Sequence, residues 1–173
     1  MKHEIFPTPL WHIEGAPKQV VDDLYQAAYQ IKKESKSKKK SNEGGYQSSL
    51  IGWKNFHPQG REYIERILKE NFKEQIQIMS WWININGKGH WNTPHTHSNS
   101  DFALVLYLTD SDALLRLMSP HHMRLQEDNA YATINAKKGD ILIFPSDIIH
   151  FVTPNPREED RISISMNLQL CGY

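Results

Sequence analysis

The sequence predicts an α+β protein: two amphipathic helices come first, followed by a sandwich or barrel of about eight short strands that the helices can cover on one face. Three observations predict it. Apolar residues recur at helical spacing in two segments before Phe72, and everything after Lys73 breaks into short runs rich in branched and aromatic residues. The length of 173 residues, 39% of them apolar, supplies one core and would be cramped for two. The expectation is a single domain over 1–173, with helical support at 17–72 and a β core at 75–170.

The first strand expected is Glu4 to Ile13, and Pro7 and Pro9 confine it to a sheet edge or an irregular lead-in. From Pro17, the residues Val20, Val21, Leu24, Ala27, Ala28 and Ile31 follow the i, i+3, i+4, i+7 rule, giving a helix of about four turns. Pro17 suits its first turn, and Asp22 and Asp23 are expected near its positive end. The next ten residues, from Lys32 to Ser41, include six lysines, and no apolar residue appears until Tyr46. This reads as a solvated loop. The alternative is a contact for a phosphate-bearing partner such as nucleic acid through Lys36 to Lys40, although no aromatic residues interleave to stack on bases. A second helix runs from about Gln59 to Phe72 on the stripe Tyr63, Ile64, Ile67, Leu68 and Phe72. Strands follow at Ile76–Asn86, Phe102–Leu108, Leu114–Met118, Tyr131–Ile134, Ile141–Phe144, Ile148–Val152 and Arg161–Leu170.

Composition narrows the function. Twenty basic residues balance twenty acidic ones, which argues against a nucleic-acid binder that relies on global charge. The one cysteine, Cys171, excludes an internal disulfide framework and a cysteine-based zinc site, and a reducing cytosol fits it best. No apolar run approaches the roughly 20 residues of a membrane span, and no basic segment followed by an apolar stretch opens the chain, so a soluble cytoplasmic protein is expected.

Nine histidines are a surplus, and their placement carries the most information. In Asn92-Thr-Pro-His-Thr-His97, an extended backbone would point His95 and His97 the same way, so that two imidazoles could take adjacent positions on a metal. A pair alone is often incidental. His150 lies in an otherwise apolar strand, where a buried imidazole needs partners for its nitrogens. Fifty-two residues separate His97 from His150, and ten more precede Arg161. Along Arg161–Leu170 the side chains alternate, with Arg161, Ser163, Ser165 and Asn167 on one face and Ile162, Ile164, Met166 and Leu168 on the other. The polar face either meets water or lines a ligand cavity.

The order His95-x-His97, His150, Arg161-x-Ser163 resembles the iron(II)- and 2-oxoglutarate-dependent dioxygenases, whose double-stranded β-helix, a jelly-roll or cupin-like barrel, carries a His-x-Asp/Glu pair, a distal His and a later Arg. Phe6-Pro-Thr-Pro9, Ser41 to Ser48, Trp82-Ile-Asn-Ile-Asn86, Asn92 to His97, Gly139 to Pro145 and Arg161 to Asn167 are similar to a small bacterial and phage branch of these oxygenases. The likeness covers nearly the whole chain.

The resemblance implies Fe(II), 2-oxoglutarate as co-substrate and O2, with 2-oxoglutarate decarboxylated to succinate while a substrate is oxidised, most often by hydroxylation. It implies His95, His97 and His150 as the metal triad. It assigns Arg161, with the hydroxyl of Ser163, to the far carboxylate of 2-oxoglutarate, a task suited to a fork-shaped cation. His97 stands where the family at large has a carboxylate. Three readings follow: an active all-histidine triad, Asp101 turning back to supply the carboxylate, or a site that binds metal without turnover. The last is a cupin-like protein in which zinc or nickel could compete.

Other candidates have weaker signals. Asn84 and Asn86 share a strand face with Trp82 and could reach the co-substrate. Tyr107 is expected in the core, and its hydroxyl needs a partner, which the co-substrate carboxylate could be. His121 and His122 fall in a Pro-marked loop, and His90 has no partner in sequence. Of Trp81, Trp82 and Trp91, only Trp91 is expected to face substrate. The primary substrate and the oligomeric state have no signature here.

Overall fold

The computed structural model describes residues 7–120 and 130–172. Its elements, in order, are β1 (Trp11–Ile13), α1 (Lys18–Glu34), β2 (Asn42–Glu43), β3 (Tyr46–Gln47), α2 (Pro58–Asn71), β4 (Ile76–Asn86), β5 (Trp91–His95), β6 (Phe102–Tyr107), β7 (Leu115–Met118), β8 (Tyr131–Ile134), β9 (Ile141–Pro145), β10 (His150–Val152) and β11 (Arg161–Leu170). They form a six-stranded sheet of order β1-β9-β6-β11-β4-β3 and a five-stranded sheet of order β2-β5-β10-β7-β8. The pairings within both are antiparallel. From β4 onward the chain passes repeatedly between the two sheets, so residues far apart in sequence meet in the space between them.

Strand alternation decides which residues face that space. Ile162, Ile164, Met166 and Leu168 of β11 join Ile83 and Ile85 of β4 and Leu104 and Leu106 of β6 in one core, together with Val21, Leu24 and Ala28 of α1 and Tyr63, Ile64, Ile67 and Leu68 of α2. A second core lies between the sheets, built on Ala103, Val105, Leu115, Leu117, Leu142, Phe144 and Val152. The polar side of β11 points the same way as this second core. Arg161, Ser163 and Ser165 are therefore buried, and the reading of that face as water-exposed does not hold.

Both helices form where the apolar spacing predicts them, with one local correction. Pro17 caps α1 from outside, no acidic residue lies in the first turn, and Asp22 instead bonds Lys18 and Lys138. Asp22 and Asp23, the fifth and sixth residues of α1, lie just past the first turn, where the helix dipole acts. β1 stands at the edge of its sheet but is only Trp11–Ile13, shorter than expected: Pro7, Pro9 and the residues between them and Trp11 lie outside any strand, and Glu4 to Phe6 lie outside the described residues. The largest departure is at 42–48. The lysine-bearing stretch is exposed through Lys40, but Asn42, Tyr46 and Gln47 are buried in two short strands, one on each sheet, and Ser48 is buried just after them. Gly44 and Gly45 allow this strap to lie so close. A Cβ on Gly44, at φ +79°, would come within 2.3 Å of the His90 ring, and one on Gly45 within 2.3 Å of Asn86 Oδ1. Among the described residues, no helix is long and apolar enough to cross a membrane.

Candidate active site

Antiparallel pairing of β10 with β5 sets His150 opposite His95. The register then shifts, so that Val152 pairs with Asn92, three residues before His95. Such an extra residue is a β-bulge, and it falls at Thr93-Pro94, where proline has no N–H to give the ladder. The bulge lets both Asn92 and His95 face the space between the sheets, which strict alternation forbids. His97 follows just past the strand end, held by its backbone N–H on Ser146 O at 2.9 Å.

The rings converge. Centroids of His95 and His150 are 4.3 Å apart, those of His97 and His150 4.9 Å, and those of His95 and His97 5.4 Å. One ligand atom from each lies within 4.8 Å of the others, close enough for the three to hold one metal ion. The remaining nitrogens set the direction of the lone pairs. His95 Nδ1 lies 2.7 Å from Thr93 O, and His150 Nδ1 lies 2.8 Å from Ile148 O. A carbonyl only accepts, so both Nδ1 atoms carry the proton and both Nε2 atoms offer a lone pair. This is the usual second partner of a metal-ligating histidine. Burial, reinforced by the neighbouring imidazoles, pushes His97 down to about 4 and His150 down to about 3, and burial also lowers His95. Neutral rings are the form that binds metal.

The same cavity reaches Arg161. Its wall includes Ser41, Trp82, Asn84, Asn92, Tyr107, Ser163 and Ser165 along with the three histidines. Arg161 is only 2% exposed, donates to Ser163 Oγ at 3.2 Å, and leaves Nε with no partner. Among the described residues it has no carboxylate partner. Its guanidinium lies 5.1 Å from the centre of the Tyr107 ring, and burial pushes the Tyr107 phenol up, against the pull of the arginine. The Tyr107 hydroxyl is buried without a hydrogen bond of ordinary geometry, so it does not close on a backbone group as core packing would have it. Asn84 donates to Ser165 Oγ at 3.2 Å and keeps its Oδ1 free. Asn86 donates to Asn92 Oδ1 at 2.8 Å, and Asn92 to Ser41 Oγ at 3.2 Å, which joins the strap to the cavity wall.

Several expectations are corrected by this geometry. Asp101 does not join the histidines: its carboxylate is exposed and accepts the backbone N–H of Leu170 at 2.7 Å. Trp82 faces the cavity, 5.1 Å from the His97 ring, whereas Trp91 pairs with Glu43 and is absent from the lining. His90 does have a partner, since its Nδ1 accepts the N–H of Gly87 at 3.1 Å. His121 and His122 lie outside the described residues. Ser41, Asn92 and Trp82 are cavity residues that sequence reasoning did not assign, and Ser165 lines the cavity with the polar face on which alternation placed it. Alternation on β4 could have found Trp82, and a bulge hides Asn92. A larger open groove between α2 and the start of β4, lined by residues such as Leu68, Phe72 and Ile76, holds none of the candidate residues.

The family model described as "Putative 2OG-Fe(II) oxygenase" matches residues 80–167, just over half of the 173. The chain belongs to the 2OG-Fe(II) oxygenases. It is therefore a 2-oxoglutarate-dependent Fe(II) enzyme, with Fe(II), 2-oxoglutarate and O2 as its metal and co-substrates. No curated protein matches it by sequence. Solved structures share the fold at low identity. A Pseudomonas putida prolyl-4-hydroxylase is 15% identical, with 94% of this chain and 93% of that one covered, at a TM-score of 0.65. The viral collagen prolyl hydroxylase of Paramecium Bursaria Chlorella virus-1, solved with 2-oxoglutarate, is 14% identical over 92% and 94%, at 0.59. HygX of Streptomyces hygroscopicus, solved with nickel, 2-oxoglutarate and hygromycin B, is 9% identical over 96% and 84%, at 0.69.

Proposed function

We propose that the chain is a hydroxylase built as one double-stranded β-helix domain, with His95, His97 and His150 as the complete protein ligand set for iron. Arg161 and Ser163 bind the far carboxylate of 2-oxoglutarate, and Asn84 and Tyr107 contact the co-substrate from the same wall. One observation carries this reading. A guanidinium buried to 2% exposure, with no acidic partner among the described residues, shares a cavity with the three-histidine cluster. A buried unpaired charge is costly, and proteins keep one where a ligand completes it. A dicarboxylate that also chelates the metal fits that demand.

The bound iron and co-substrates supply the oxidation, in which 2-oxoglutarate and O2 give succinate, CO2 and a hydroxylated substrate C–H. The protein's part is orientation and exclusion of water. Backbone carbonyls at Thr93 and Ile148 hold Nδ1 of two of the imidazoles, so their Nε2 atoms would be the ones to hold iron. Trp82 packs beside the third, and Phe144 lies 4.8 Å from the His150 ring, walling that side with carbon. Three neutral imidazoles leave the charge of the ion uncompensated, which favours arrival of a dianion.

Anaerobic addition of Fe(II) and 2-oxoglutarate to the apoprotein should raise a weak visible charge-transfer band. Arg161→Ala should shift its appearance to much higher 2-oxoglutarate. Absence of the band, or an unchanged titration in the variant, would remove the assignment.

A further inference from the structure

The cavity opens beside a row of lysines without ion pairs. Its walls at Trp82, Asn84, Asn92, Tyr107 and Arg161 are buried, while Ser41 and His95 are half-buried, so its rim includes those two residues. Ser41 directly follows Lys40. Its carbonyl accepts the N–H of Thr93 at 2.8 Å, and Thr93 O holds His95 Nδ1 at 2.7 Å, so two hydrogen bonds tie the end of the lysine stretch to a candidate metal ligand. Lys36, Lys38 and Lys40 are exposed and have no acidic partner among the described residues, whereas Lys32 is held by Asp160 at 3.9 Å and Lys39 by Glu43 at 3.6 Å. We propose that these three lysines dock the primary substrate, and that the substrate is a polypeptide segment with acidic residues to one side of the residue that is oxidised. The inference rests on the site proposed above and names the class of molecule it acts on.

The stretch is built as a surface and not left as a tether. Lys38 donates its N–H to Gln47 O at 2.8 Å, Lys40 its N–H to Asn42 Oδ1 at 2.9 Å, and Ser37 Oγ accepts the N–H of Gln47 at 3.1 Å. Ordering a backbone costs entropy, and lysines that serve only solubility do not need it. A chain rises at most about 3.3–3.6 Å per residue, so Lys36 lies up to roughly 14 Å from Lys40. A small molecule held at the metal does not reach along that row, but an extended chain does. Composition favours a polypeptide over a nucleic acid. Single-stranded nucleic acids are bound by cations together with aromatic faces for the bases. No aromatic residue occurs from Lys32 to Gly45, and the next one, Tyr46, is buried with its hydroxyl 2.7 Å from Ser35 Oγ. With 20 Lys+Arg against 20 Asp+Glu, no basic surplus continues the row into a phosphate track. Near His97 the exposed charges are acidic: Asp147 follows Ser146, whose carbonyl holds the His97 N–H, and Asp101 accepts from Leu170. Those carboxylates repel the acids of a substrate and direct them to the lysine side.

The test uses the full chain and needs no turnover. Its probes are a fluorescein-labelled peptide of alternating glutamate and alanine, the same peptide with glutamine for glutamate, and a single-stranded oligothymidylate of similar length. Fluorescence anisotropy at low salt should show the glutamate peptide bound, the glutamine peptide at least about tenfold weaker, and added salt weakening the former. Combining Lys36→Gln, Lys38→Gln and Lys40→Gln removes three exposed ion pairs and should weaken the glutamate peptide roughly tenfold. Lys54→Gln, Lys69→Gln and Lys73→Gln together make the same change of net charge at exposed positions away from the rim and should leave affinity within about twofold. With Mn(II) added, the unpaired electrons of the ion should broaden the proton resonances of the bound glutamate peptide. Failure of the glutamate peptide to bind, an equal loss in the second triple variant, or tighter binding of the oligothymidylate that depends on Lys36, Lys38 and Lys40 overturns the proposal. So do sharp peptide resonances with Mn(II) bound. Mn(II) that does not bind the wild type, or binds His97→Ala equally well, overturns the metal site itself, a failure distinct from that of the docking surface.

Discussion

Replacing Arg161 with methionine should move stability and co-substrate affinity in opposite directions. The guanidinium is almost wholly buried, and among the described residues it has one hydrogen bond of ordinary geometry, to Ser163, with Nε making none. In the apoprotein this is a charge taken out of water with little return, and exchange of buried ionic groups for apolar ones of similar volume is often neutral or stabilising by about 1–4 kcal/mol. With 2-oxoglutarate bound, the same exchange leaves a carboxylate buried without its partner, a loss of roughly 3–5 kcal/mol. At about 1.4 kcal/mol per decade, the Kd for 2-oxoglutarate should rise by roughly two to three and a half orders of magnitude. Urea unfolding of the apoprotein measures the first effect, and anaerobic titration of 2-oxoglutarate into the Fe(II) protein measures the second. A variant that binds 2-oxoglutarate within tenfold of wild type would refute the reasoning. An apoprotein destabilised by several kcal/mol would do the same, since it would make Arg161 a structural anchor.

The remaining predictions concern the metal face and the surface. His95, His97 and His150 all have folded values below the ordinary 6.5, with His97 at about 4 and His150 at about 3. The unfolded chain thus binds more protons between those values and 6.5. Metal-free stability should be full above pH 6.5 and fall as pH drops below it, by up to about 1.4 kcal/mol per unit per histidine in chemical denaturation; a flat profile from pH 7 to 5 would contradict this. Asp101→Ala should leave zinc affinity within twofold and cost about 0.5–1.5 kcal/mol for the lost Leu170 hydrogen bond, so a large loss of metal binding by titration would restore Asp101 as a ligand. Glutamine at Lys36, Lys38, Lys39 and Lys40 should change stability by no more than about 0.5 kcal/mol, because all four are exposed. If the wild type elutes from a polyanion column only at high salt and this variant does not, the loop is a polyanion contact and not merely solvated.

Much of the site was legible because alternation on a strand is a local property. Ile162, Ile164 and Met166 against Arg161, Ser163 and Ser165 already separate the helix-facing core from the cavity, and the sequence singles out His95, His97 and His150, the three histidines that the fold brings together. Features that depend on the partner strand were not legible. The bulge at Thr93-Pro94 is defined by its register against β10, so the inward turn of Asn92 cannot be seen from β5 alone. Burial of Asn42, Gln47 and Ser48 rests on strand pairing and on hydrogen bonds such as Asn42 Nδ2 to Gly45 O at 2.8 Å, and a polar stretch gives no hydropathy signal for that. Asp101 illustrates the converse, since a carboxylate four residues from a candidate ligand satisfies a backbone N–H on the far end of β11. Trp82 was open to the same reading, since alternation puts it with Asn84 and Asn86 on the face opposite Trp81, which packs in the helix-side core.

The most direct measurement is an anaerobic crystal structure of the protein with Fe(II) and 2-oxoglutarate. The account predicts one ion about 2.0–2.2 Å from Nε2 of His95, His97 and His150, with the far carboxylate of 2-oxoglutarate forked on Arg161. An ion ligated by any other side chain, or a co-substrate carboxylate away from Arg161, would contradict it.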